Sequence, residues 1–127
     1  MKLEAAPNLK LSTHQPLTVP PWALKLCPHI GESCEANVGV TVPAATITTR
    51  VGDEHCLVSA TVRNLGSPSP SAFQSTITRM FSKVLETLRH AATPHAVRMW
   101  NFIPDIHEPM GPGLDRYRVF NAGRFDA

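Results

Sequence analysis

The spacing of apolar positions changes several times along the chain, and each change predicts an element. From Asn37 to Val51 the side chains are small and β-branched (Val38, Val40, Thr41, Val42, Thr46, Ile47, Thr48, Thr49, Val51), as suits a pleated surface. Pro43 cannot donate to a ladder, so it marks an edge, a bulge or a break. After a turn at Gly52-Asp53-Glu54, His55 to Arg63 alternates. Cys56, Val58, Ala60 and Val62 fall on one face and Leu57, Ser59, Thr61 and Arg63 on the other. The pattern predicts a hairpin with a helix over one face. The period then becomes helical: Phe73, Ile77, Met80, Phe81, Val84, Leu85 and Leu88 form one stripe. Ser71 reads as its N-cap with Gln74 reaching back, and Thr93-Pro94 ends it. Between Pro94 and Pro104 the run Ala96 to Ile103 is too short for a buried helix, and it predicts a central strand buried on both faces. A Pro/Gly loop (residues 104–113) leads to Leu114–Phe120, the start of a second, amphipathic helix.

The expected fold is therefore α+β: a mixed sheet with a hairpin, one long helix on a face, and a second helix that begins near the end of the sequence. A strand buried on both sides needs a second cover, which the last helix or another subunit would supply, so self-association is expected. Residues 1–36 carry Pro7, Pro16, Pro20, Pro21 and Pro28 and show neither period. They predict an extended, proline-rich lead-in, with Trp22, Leu24 and Leu26 available to pin it to the domain. Residues 37–127 are expected to be the domain proper.

Composition changes this picture little. The chain has 127 residues, 43% of them hydrophobic and 17% charged, as in a single globular domain. A net charge of +2 is too small to point to nucleic acid. Cys27, Cys34 and Cys56 make an odd set without CxxC spacing, so three free thiols in a reducing compartment are expected. The start lacks a signal-peptide core, and no apolar run reaches the ~20 residues of a membrane span. The default expectation is a cytoplasmic protein.

Few residues advertise chemistry. Asp105, His107 and Glu108 cluster in the loop, but no second cluster supplies further ligands, and no metal site is expected. Gly111-Pro112-Gly113 is a turn without the lysine and strand-to-helix setting of a phosphate loop. Arg98 in a buried strand must find a structural partner. Cys56, alternating with Val58 and Ala60, reads as a core side chain. The other histidines (His14, His29, His55, His90, His95) are scattered and read as surface or capping residues.

The segments Arg98-Met99-Trp100-Asn101-Phe102-Ile103-Pro104, Asp115-Arg116-Tyr117 and Phe120-Asn121-Ala122-Gly123-Arg124 resemble the amino-terminal half of the chorismatases, chorismate-hydrolysing enzymes of the YjgF-like superfamily. The resemblance spans roughly residues 37–127. It implies a YjgF-like, chorismate-mutase-like fold, chorismate or a similar carboxylate as substrate, pyruvate as a product, and no cofactor. It also implies that the hydrolytic machinery resides mainly in a carboxy-terminal domain. The sequence is thus expected to be the amino-terminal part of a longer enzyme, inactive alone, with catalytic residues unassigned. A dianionic substrate calls for guanidinium forks. Arg124 matches the arginine of the family's NAGR segment, and either binds a substrate carboxylate or makes a salt bridge or carbonyl contact at a helix end. Tyr117 either donates its hydroxyl to the same ligand or packs on the sheet. Asn101 either reaches the ligand or ties down the following loop. The competing classes are a stand-alone YjgF-like imine/enamine deaminase and a non-catalytic oligomeric module.

Overall fold

In a computed structural model of the protein, residues 19–36, 38, 45–62 and 66–127 are described. In chain order the elements are α1 (Pro21–Leu26), β1 (His29–Ala36), β2 (Ala45–Val51), β3 (Cys56–Thr61), α2 (Pro70–Arg89), β4 (Pro109–Gly111), β5 (Leu114–Asp115) and α3 (Arg116–Asp126).

The β-branched run and the alternating run pair as expected. Strands β2 and β3 are antiparallel, with Ile47 opposite Ala60 and Val51 opposite Cys56, and the Gly52 N–H donates to the His55 carbonyl (2.8 Å) across the turn. The outer neighbour of β2 was not anticipated. It is β1, antiparallel, with Cys34 opposite Ile47 and an irregularity between Ile30 and Glu32. Seven of its eight residues are exposed, so neither face imposes an alternation that a sequence could display. The second half of the lead-in therefore holds a short helix and an edge strand. Strand order is β1-β2-β3, and the described sheet is antiparallel throughout instead of mixed.

Gly52 makes this arrangement possible. A Cβ there would stand 1.7 Å from the Leu26 carbonyl oxygen, so only glycine lets the end of α1 rest on the hairpin turn. Arg50 holds the same junction: its Nε donates to the Cys27 carbonyl (3.0 Å) and its Nη2 to that of Pro28 (2.9 Å).

Helix α2 lies between two cores. Ala36, Val38, Ala45 and Ile47 of the sheet side form one. Phe73, Ile77 and Phe81 of α2 form the other with Val119 and Phe120 of α3. Met80 packs against both. The N-cap is Ser69, not Ser71: its Oγ accepts from the Ala72 N–H (3.2 Å), and Pro70 takes the first helical position. Proline's preset φ and missing donor suit that position, which places the cap one residue before it. Gln74 is thereby released from any capping role and instead donates to Asp126 Oδ2 of α3 (2.8 Å). At the other end the helix stops at Arg89, with the His90 ring against the Glu86 carbonyl (2.8 Å).

The expected strand at 96–103 is not one. Its residues have no regular structure, and Val97 is 90% and Phe102 65% exposed, with Met99 and Trp100 also open to solvent. Such a strand needs a layer on each side, and among the described residues neither is present. Helix α3 covers the far side of α2 instead of the sheet, and only Ile103, at the end of the run, reaches the α2/α3 core.

Candidate functional site

Two regions gather polar groups near apolar walls. One is a groove of about 460 Å³ at the outer edge of β3. One wall is β3 from Cys56 to Ala60, the floor includes Met80, Phe81 and Val84 of α2, and the opposite wall is the 95–102 segment. Trp22 of α1 and Cys27, the residue after that helix, close one end. The Trp22 and Trp100 rings meet at 5.3 Å with a 53° tilt, and the Arg98 guanidinium lies 5.4 Å from the centre of the Trp100 ring. Trp22, expected to be available for pinning the lead-in, makes this contact with the 95–102 segment. Arg98 is exposed and stacked on an indole instead of paired inside a strand, since an outlying loop leaves the cation hydrated and needs no buried counter-charge.

The other region is the loop before α3. Ile103, Asp105, Ile106, His107 and Glu108 line an open depression. Asp105 adopts a left-handed backbone (φ 50°), a conformation aspartate tolerates better than most residues. Glu108 is engaged by Arg116: Nη2 stands 2.9 Å from its Oε2, while Nη1 donates to the Pro104 carbonyl (3.0 Å). Among the described residues no group of three or more His, Cys, Asp and Glu is placed to hold a metal ion.

Arg116 is the residue the sequence reading passed over. It is 8% exposed, its guanidinium lies 5.7 Å from the Phe73 ring, and it ties the 104–108 loop to the helix core. A charged residue beginning an amphipathic helix reads as a surface group. The only hint of burial was its place within the Asp115-Arg116-Tyr117 segment. Asp115 caps the helix, its Oδ1 accepting from the Arg118 N–H (2.9 Å).

The three site candidates fall into two places. Asn101 is exposed and lines the groove. Tyr117 and Arg124 lie on α3, seven residues apart and so on one face, and both are exposed. Tyr117 is 48% exposed and does not pack on the sheet, because α3 faces α2. Neither α3 residue lines the groove with Asn101. In the intervening Asn-Ala-Gly-Arg segment, Gly123 is required on steric grounds, since a Cβ there would stand 2.7 Å from the Gln74 carbonyl oxygen and 2.8 Å from Ile77 Cβ of α2. The Thr78 hydroxyl donates to both the Gln74 (2.9 Å) and Gly123 (3.0 Å) carbonyls, stitching the two helices at that crossing.

Two local environments shift titration. Burial, and secondarily the nearby Cys56, push the Cys27 thiol above its usual 9.0, with Arg50 opposing. On the surface, the hydrogen bond from Lys83 holds Glu86 below the ordinary carboxylate range.

The described fold is that of an α+β domain with a three-stranded antiparallel sheet, a long helix on it, a shorter helix behind that one and an apolar groove along a sheet edge. Over residues 35–127 the sequence matches the family model for chorismatase FkbO/Hyg5-like, N-terminal, and the chain belongs to that family. No curated protein and no solved structure matches it. No helix among the described residues is long and apolar enough to cross a membrane.

Proposed function

We propose that this chain is the amino-terminal domain of an enzyme that hydrolyses chorismate with release of pyruvate, and that it is inactive without a carboxy-terminal catalytic domain. The family match over residues 35–127 carries this reading. In it, residues 37–127 form a YjgF-like domain and residues 1–36 the lead-in. The exposed apolar side chains of Val97, Met99, Trp100 and Phe102 offer the companion domain a docking surface of the kind that marks protein interfaces; self-association through the same surface is the other arrangement it permits. Arg124 and Tyr117, on one face of α3, and Asn101, in the groove, are the groups proposed to meet substrate carboxylates. No cofactor is invoked. The described cysteines are free, which agrees with a reducing compartment, and the cytoplasm is the proposed location.

The test is pyruvate release from chorismate, measured for the chain alone and mixed with a chorismatase carboxy-terminal domain. Release only from the mixture supports the reading, and turnover by the chain alone overturns the claim of inactivity. In an active mixture, Arg124→Ala should raise KM about 10- to 100-fold, as expected for loss of a charge-assisted hydrogen bond. An unchanged KM removes Arg124 from the site.

A further inference from the structure

We propose that Cys27 and Cys56 form a peroxide-sensitive dithiol whose disulfide bolts α1, and with it the Trp22 end of the groove, to the sheet. The observations are positional. Both cysteines line the groove. Cys27 is 3% exposed and Cys56 half-buried, and both are free thiols. The backbone brings them to one corner: the Cys27 Cα lies 3.4 Å from where a Cβ on Gly52 would stand, and Cys56 opens the strand that leaves the Gly52 turn, opposite Val51. Arg50 fixes the Cys27 backbone to that corner through its 3.0 Å bond to the Cys27 carbonyl. Burial first, and Cys56 second, raise the Cys27 thiol, which agrees with the two residues sharing this corner. Cys34 stands apart, exposed on β1 opposite Ile47 and five residues along the strand from the His29–Val51 pair.

Exposure assigns the roles. Cys56, the more accessible, attacks a hydroperoxide as thiolate. Its sulfur bonds to one peroxide oxygen, the O–O bond breaks, and the alkoxide leaves to take up a proton as alcohol (water, if the oxidant is hydrogen peroxide). The Cys27 sulfur then attacks the Cys56 sulfenic acid. The S–S bond forms, hydroxide departs, and the Cys27 proton converts it to water. The dithiol loses two electrons and the peroxide gains them. The product joins Cys27, the residue after α1, to the first residue of β3, so that Trp22 can no longer swing away from Trp100 and the groove end stays closed. This inference does not depend on the chorismate reading.

The experiment treats the 127-residue chain with hydrogen peroxide, blocks remaining thiols, and maps tryptic peptides without reduction. Trypsin separates residues 26–50, which hold Cys27 and Cys34, from residues 51–63, which hold Cys56. The expected result is a reducible 26–50/51–63 linkage within a monomer, loss of two of the three thiols, and persistence of both in Cys34→Ser. Because Cys34→Ser alters only an exposed residue, it keeps the test independent of any folding defect in Cys27→Ser. A linkage that vanishes in Cys34→Ser, a linkage found only between chains, or oxidation of Cys56 to sulfinic acid with no linkage overturns the proposal.

Discussion

Replacing Gly123 by alanine tests how α3 is held. By helix propensity alone the substitution stabilises an α-helix by about 0.8–1 kcal/mol. At this crossing, however, the added methyl would sit 2.7 Å from the Gln74 carbonyl oxygen, 2.8 Å from Ile77 Cβ and 3.0 Å from its Cγ2. The nearest of these atoms is backbone, so a rotamer change cannot relieve the overlap and α3 must move away as a body. Overpacking of this kind costs about 1–3 kcal/mol. Moving α3 also stretches the bond from Thr78 Oγ1 to the Gly123 carbonyl, worth about 1 kcal/mol. Taking about 2 kcal/mol for the overlap and about 1 for the bond, less about 1 for propensity, leaves a net loss near 2 kcal/mol. With a urea slope of about 1–3 kcal/mol per M, the unfolding midpoint should fall by roughly 1 M. Arg124→Ala, the adjacent and exposed position on the same helix, is the control and should stay within about 0.5 kcal/mol. If Gly123→Ala is as stable as the parent, or more stable by the propensity increment, the close crossing of α2 and α3 is wrong.

Three further outcomes follow from named contacts. Arg116→Met should cost about 2 kcal/mol in urea unfolding, because it removes bonds to the Pro104 carbonyl and Glu108 from a buried guanidinium; Glu108→Gln, altering the solvent-exposed partner, should cost under about 1 kcal/mol. Burial raises the Cys27 thiol, so the folded state holds that proton more tightly than the unfolded state. The associated stability is complete below the usual 9.0 and is lost as pH rises through the higher folded value. Thermal midpoints should therefore fall as pH rises above the usual 9.0, and Cys27→Ala should flatten that slope; parallel curves for the two proteins would refute it. Trp22 and Trp100 are the chain's two tryptophans, and their 5.3 Å contact should give a far-ultraviolet exciton couplet. Trp22→Phe and Trp100→Phe should each abolish it, and a couplet surviving either change would show that the indoles are not its source.

What the sequence displayed and what it concealed divide along a physical line. Hairpin β2–β3 and helix α2 were legible because each packs apolar side chains on a neighbouring element while leaving others to solvent, and that contrast writes a period into the side chains. Within α2 the depth of burial was not legible: Phe73, Ile77 and Phe81 are core residues, whereas Val84, Leu85 and Leu88 continue the same stripe but are only half-buried, Val84 and Leu88 lining the groove. Strand β1 was illegible for the converse reason, since seven of its residues face solvent and nothing selects their order. The cap at Ser69 was readable in principle, as Ser-Pro-Ser places proline at the first helical position and fixes which serine precedes it. Arg116 and Gly123 were recognisable only as members of segments. What each does depends on what another element presents to it, a carbonyl at Pro104 in one case and the backbone of Gln74 in the other. The run 96–103 is the instructive failure. Its apolar content measures how much each side chain would gain from being covered, and says nothing about whether a cover stands beside it. With α3 committed to α2, that gain is left unrealised at Val97 and Phe102. The same surface is therefore the readiest place for the proposed companion domain to bind, because docking there needs no apolar side chain to be exposed first.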